Sequence, residues 1–168
     1  MRMFTSETVR TAALLLALSA SGALAQEKET ILIVQGDFDG DGVADERRFS
    51  RDELAALGEE SFSTSTIWTE GAQEFAGVRL HRLLEALAPD HEGQVDLVAV
   101  NDYQVSMPSA EAEPNGALLA YLRNGEQMTL RDKGPVWLVY PYDASDLYRT
   151  EVVYSRSVWQ LSKITLSN

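Results

Sequence analysis

The chain has 168 residues, enough for one core of ordinary size, and its 14 Lys and Arg against 26 Asp and Glu leave a formal charge of −12. A field of that sign repels phosphate backbones and anionic headgroups, which sets aside nucleic acid and membrane surfaces as partners. Cysteine is absent, so disulfides, thiolate metal ligands and thiol nucleophiles are excluded together.

Arg2 and Arg10 precede the apolar run Thr11 to Leu18, and Ala23-Leu24-Ala25 follows as a small-x-small site with cleavage expected before Gln26. Residues 1–25 therefore read as a secretory signal, and residues 26–168 as a single domain destined for the periplasm or the cell exterior. A membrane anchor needs roughly 18 to 20 apolar residues, and this run is shorter and broken by serines.

Thr30 to Val34 is β-branched and apolar and predicts the first strand. The densest acidic stretch follows, residues 37–46, with Asp37, Asp39 and Asp41 at alternate positions, Gly42 next, and Asp45 three residues beyond the glycine. Calcium takes six to eight oxygens, which a short loop supplies by aiming alternate side chains inward around a glycine turn. The expected ligands are the carboxylates of Asp37, Asp39, Asp41 and Asp45 with the backbone carbonyl of Val43, in a structural role. Arg48 stands where an EF-hand places its bidentate Glu, so the loop resembles instead the shorter D-x-D-x-D-G-x-x-D loops of bacterial surface proteins. The alternative is an acidic turn, since Gly and Asp are also ordinary turn residues.

Ser50 with Glu53 three residues on predicts a capping box and a short helix that ends near Gly58. Ser61 to Thr69 predicts a strand, Gly71 a turn, and Glu74 to Val78 the returning strand. Leu80, Leu83, Leu84 and Leu87 fall at helical spacing before Pro89 and predict an amphipathic helix over Leu80 to Leu87. Val95 to Val100 and Tyr103 to Met107 predict two more strands, while Ala117 to Leu122 suits strand or helix. Asn124-Gly125 tolerates positive φ at both positions and predicts a hairpin joining Leu119–Arg123 to Glu126–Leu130.

Val136 to Tyr140 is apolar or aromatic without a break, as in a strand buried on both faces, and Pro141 ends it. A polar loop, Ala144 to Tyr148, leads to the apolar segments Val152 to Tyr154 and Val158 to Leu166. The pattern is that of an α+β domain, with mixed or antiparallel sheets and a few short helices. His81 and His91 have no acidic neighbour at zinc-ligand spacing, and no G-x-S-x-G elbow is present.

Five phrases in this order resemble one family. They are Gly77-Val78-Arg79-Leu80-His81-Arg82-Leu83-Leu84, Asn101-Asp102-Tyr103, Arg123-Asn124-Gly125-Glu126-Gln127-Met128, Gly134-Pro135-Val136-Trp137-Leu138-Val139-Tyr140-Pro141 and Ser157-Val158-Trp159-Gln160-Leu161. The chain is similar over residues 29–167 to the oxidoreductase molybdopterin-binding domain, the sulfite-oxidase fold, in a short exported form. That resemblance implies a molybdenum held by a cysteine on the strand before the G-x-x-L-x-x-L-L helix, a position that falls near Ser65 to Ile67. It implies a cofactor-binding region where Trp68, Glu70, Asn101, Tyr103, Tyr142, Asp143, Arg149 and Arg156 converge.

Molybdenum needs a soft thiolate, for which a hydroxyl is a poor substitute. The expectation is thus a non-catalytic domain that binds a small ligand or a protein partner. Its first rival is a molybdopterin-dependent oxidoreductase subunit holding the cofactor without a cysteine ligand, and its second a structural partner of a sensor or redox complex.

Overall fold

The computed structural model of the protein describes residues 29–167. The signal sequence expected over residues 1–25 lies outside them. No helix among the described residues is long and apolar enough to cross a membrane.

The chain enters through β1 (Thr30–Gly36), whose alternation turns Leu32 and Val34 into the core. The acidic loop then leads to β2 (Asp45–Ser50), paired antiparallel with β1. This strand is absent from the sequence reading, because Asp45, Glu46, Arg47 and Arg48 are all exposed at a sheet edge and only Phe49 and Ser50 are buried. Charged edges of this kind resist pairing with other chains. Ser50 caps α1 (Arg51–Ala55), and the capping box forms as expected, with Glu53 Oε2 accepting the Ser50 N–H at 2.8 Å.

Next come β3 (Glu59–Ser65) and β4 (Ala72–Arg79), a hairpin whose first strand ends at Ser65, short of the expected Thr69. A turn takes over there because Thr66 Oγ1 accepts the Trp68 N–H at 3.0 Å and lies 2.8 Å from Thr69 Oγ1, a local alternative to the ladder. Directly after β4, α2 (Leu80–Leu87) buries Leu80, Leu83 and Leu84, as the leucine spacing predicts. The antiparallel pair β5 (Gln94–Ala99) and β6 (Gln104–Pro108) follows.

The ambiguous segment is a strand, β7 (Leu118–Arg123), and Asn124-Gly125 turns it into β8. That partner covers only Glu126–Gln127, since Leu130–Asp132 coils into a 3₁₀ turn. β9 (Trp137–Val139) is shorter than Val136 to Tyr140, although all five residues are buried. The apolar Val152 to Tyr154 belongs to a helix, α3 (Glu151–Arg156), started by Thr150, whose hydroxyl accepts the Val153 N–H at 3.3 Å. β10 (Leu161–Ser167) closes the chain.

Two five-stranded sheets result. The first has the order β2-β1-β10-β5-β6, parallel between β1 and β10 and antiparallel elsewhere; the second runs β3-β4-β7-β8, with β9 also on β7. They share one core: Leu32, Val34, Val95, Leu97 and Ile164 from the first join Phe75, Val78, Leu119, Trp137 and Leu138 from the second. At ~1.5–3 kcal/mol per fully buried large apolar side chain, this shared core is the main source of stability. The sheets are also stitched through the backbone, for Leu138 N–H donates to Val158 and Leu161 N–H to Val136, both at 2.9 Å. That seam brings the segment Ser157 to Gln160 alongside β9 and sets up the site.

Candidate functional site

The cleft that the seam creates has a volume of about 260 Å³. Trp68 enters it from the turn after β3, Asn101 and Tyr103 from the β5–β6 loop, Tyr154 and Ser155 from α3, and Trp159 from the seam, with Ala99, Ser157 and Val158 completing the lining. Trp68 is the aromatic hub. It meets Trp159 at 5.5 Å, Tyr154 at 5.8 Å, Trp137 at 5.9 Å and Tyr142 at 6.3 Å between ring centroids, each edge to face. Such pairs contribute roughly 0.5–1.5 kcal/mol each beyond their burial, so the wall is rigid.

The loop side of the cleft is held across the gap. Tyr103 Oη donates to the Ser155 carbonyl at 2.9 Å, while the Tyr103 N–H reaches Asn101 Oδ1 at 3.3 Å past Asp102, which adopts a left-handed φ of 64°. Beneath the aromatic wall, buried Tyr142 donates to Ser157 Oγ at 2.6 Å, and Ser157 Oγ donates to the Val153 carbonyl at 2.7 Å. Burial pushes the Tyr142 phenol up to about 12, so it stays a neutral donor at physiological pH. The Lys133 ammonium sits 4.5 Å over the Trp159 ring and 5.6 Å over Trp137.

Of the eight residues expected in a cofactor-binding region, the fold brings Trp68, Asn101 and Tyr103 to the lining and sets Tyr142 directly behind it. The other four stand outside the lining. Glu70 is exposed in the turn before β4, and Arg156 is paired with Glu111. Asp143 and Arg149 form their own network: Asp143 accepts the Ser65 N–H at 2.5 Å, the Ser65 hydroxyl at 2.6 Å and Arg149 Nη2 at 2.5 Å, and its own N–H donates to Thr64 Oγ1. The two bonds from Ser65, and then the Arg149 guanidinium, hold the Asp143 carboxyl down at about 2.

Tyr154, Ser155 and Ser157 are not among the expected site residues, because Val152 to Tyr154 reads only as an apolar segment, with no helix predicted there to turn them to one side. The signal that could have found them is Thr150-Glu151, an N-cap with an acidic first turn, and Arg156 in the last turn. His81 and His91, whose spacing predicts no zinc site, line one groove with Glu85, Glu92 and Glu113, and each ring faces a backbone carbonyl at 3.1 Å.

In the acidic loop Asp37, Asp39 and Asp41 carry carboxylate oxygens within 4.8 Å of one another, the only such group of three among the described residues. Asp45 begins β2 opposite Gly36 and falls outside that group, and Val43 is largely exposed. Each of the three clustered carboxylates also caps the loop's backbone: Asp37 accepts N–H groups of Gly40, Asp41 and Gly42, Asp39 that of Asp41, and Asp41 that of Val43. Four carboxylates within nine residues repel one another in the absence of a cation. These bonds supply part of the compensation internally.

Residues 43–146 match the family model described as oxidoreductase molybdopterin binding domain. No curated protein matches the chain. Among solved structures it is similar to the sulfane dehydrogenase SoxCD from Paracoccus pantotrophus, with a TM-score of 0.56 and 15% identity. The likeness covers 82% of this chain and 38% of that one, and at such identity it bears on the fold alone: the sulfite-oxidase type.

Proposed function

Because the chain belongs to the oxidoreductase molybdopterin binding domain family, we propose that it is an exported member in which ligation of molybdenum has been lost and the aromatic cleft serves as a non-catalytic site for a small ligand. The observation that carries this reading is the donor set. The family's cofactor requires a sulfur ligand near Ser65 to Ile67, and the chain contains no cysteine at all. Ser65 is not a free substitute, since its hydroxyl and N–H are both committed to Asp143.

A pterin phosphate would also want a cation, and no Lys, Arg or His lines the cleft. Arg149 and Arg156, placed in the cofactor-binding region by resemblance, are engaged by Asp143 and Glu111. The residues present therefore do not fit the molybdenum cofactor. What the cleft does offer is aromatic walls with a few hydroxyl and amide groups, the usual make-up of a small-molecule site.

One preparation tests both export and the lost metal. Protein taken from the periplasm of a host able to make the cofactor should begin at Gln26 and carry far less than one molybdenum per chain. Near-stoichiometric molybdenum with bound pterin would overturn the reading in favour of an oxidoreductase subunit that holds its cofactor without a thiolate.

A structural calcium ion in the loop of Asp37, Asp39 and Asp41 belongs to the same proposal. The convergence of those three carboxylates favours it. Asp45, which falls outside that group, would join only if the loop tightened around the ion.

A further inference from the structure

We infer that the cleft takes an uncharged, planar ring carrying a carbonyl or amide group; this rests on the reading of the cleft as a ligand site. Size comes first. At about 260 Å³ the cavity lies just below the ~300–1,000 Å³ of sites for drug-sized ligands, which limits the occupant to one or two fused rings. Shape comes next, because Trp68, Tyr154 and Trp159 line the cleft with aromatic rings, which favour a flat partner over a branched one.

Charge is the deciding property. No carboxylate, ammonium, guanidinium or imidazole lines the cleft, so a charged ligand would surrender its hydration without an opposite charge to meet. A cation faces a further obstacle, since the Lys133 ammonium, 4.5 Å from the centre of the Trp159 ring, repels a like charge brought to that wall. An anion faces the field of a chain with a formal charge of −12, and Lys133 does not line the cleft.

The polar handles are specific. Asn101 uses its Oδ1 to accept the Tyr103 N–H, which leaves its Nδ2 amino group without a partner among the described residues, and the Tyr154 hydroxyl likewise has none. An amide donor and a phenol together suit a ring carbonyl or carboxamide, the first through its oxygen and the second through either end.

Three nearly isosteric probes separate the charge classes: nicotinamide, nicotinate above its pKa, and 1-methylnicotinamide. Binding is read by tryptophan fluorescence and by the indole N–H signals in two-dimensional NMR. Nicotinamide is expected to shift the Trp68 and Trp159 signals and to bind at least ~10-fold more tightly than either charged probe, the margin set by unpaired charge burial. Trp159→Ala should weaken it by ~10-fold or more through loss of one ring wall. Asn101→Ala, which leaves the aromatic wall intact, should weaken it several-fold and serves if the tryptophan variant misfolds.

A charged probe binding as tightly as nicotinamide, no binding by any of the three, or binding that survives both substitutions would overturn the inference. None of these results bears on molybdenum content, so the loss of this inference and the loss of the proposed function are told apart.

Discussion

Asp143 ties the end of β3 to the segment after β9, and it does so as an anion. Its carboxylate collects two bonds from Ser65 and one from Arg149, and its pKa falls to about 2, below the ~3.9 of an unfolded aspartate. For a depressed carboxyl the linked stability is fully present above the unfolded value and is lost as pH falls through the folded value. The window is therefore about pH 4 down to about pH 2. Both partners are partly exposed, with side-chain exposures of 47% for Arg149 and 38% for Asp143, so solvent screens the pair and the effect is modest. Asp143→Asn keeps an acceptor but removes the charge. Its melting temperature should lie below the parent's at pH 6, and the gap should close as pH drops from 4 to 2; a gap of constant size across that range would show that the charge on Asp143 contributes nothing.

Gly77 shows how a single position governs an element. A Cβ built there would lie 2.0 Å from the Leu119 carbonyl oxygen and 2.7 Å from its carbon, because β4 bulges between Ala76 and Gly77 where it crosses β7. Backbone cannot yield as a flexible side chain would, and β7 is also paired with β8 and β9. Gly77→Ala should cost about 1–3 kcal/mol as an overpacking change. For a chain of this size that lowers the melting temperature by roughly 2–4 °C per kcal/mol. An unchanged melt would mean that β4 and β7 are not packed as described.

The same phrase explains what was legible in the sequence. Leu80, Leu83 and Leu84 all face the core, so the leucine spacing located α2 to its end residues. β2 was invisible, because an edge strand that exposes four charges in a row carries no period of two. α3 was not predicted because Val152 and Val153 favour strands, yet the Thr150 cap and the packing of Val153 and Tyr154 against the core override that preference. Fold class followed from the count of strands, whereas the cleft could not: its walls come from residues 68, 99–103 and 154–159, which only the seam between the sheets brings together.

At the scale of the whole molecule the excess of negative charge is the property that any added cation meets first. Raising ionic strength screens the self-repulsion of a chain at −12 and stabilises it without a site. A specific calcium ion differs in two ways: it acts at millimolar concentration over constant ionic strength, and it depends on the loop between β1 and β2. With an affinity in the weak extracellular range of ~10⁻⁴ to 10⁻³ M, 10 mM calcium should stabilise the fold by about 1.4–2.7 kcal/mol. That is a rise of roughly 3–10 °C in melting temperature. Magnesium at the same concentration should give much less, because it gives up its water reluctantly to an all-protein cage. Replacing both Asp39 and Asp41 by alanine removes two of the three clustered carboxylates and should abolish the calcium-specific rise while leaving the response to sodium chloride. Equal rises with calcium and magnesium, or a calcium rise that outlasts the double substitution, would reduce the loop to a backbone-capping turn within an acidic surface.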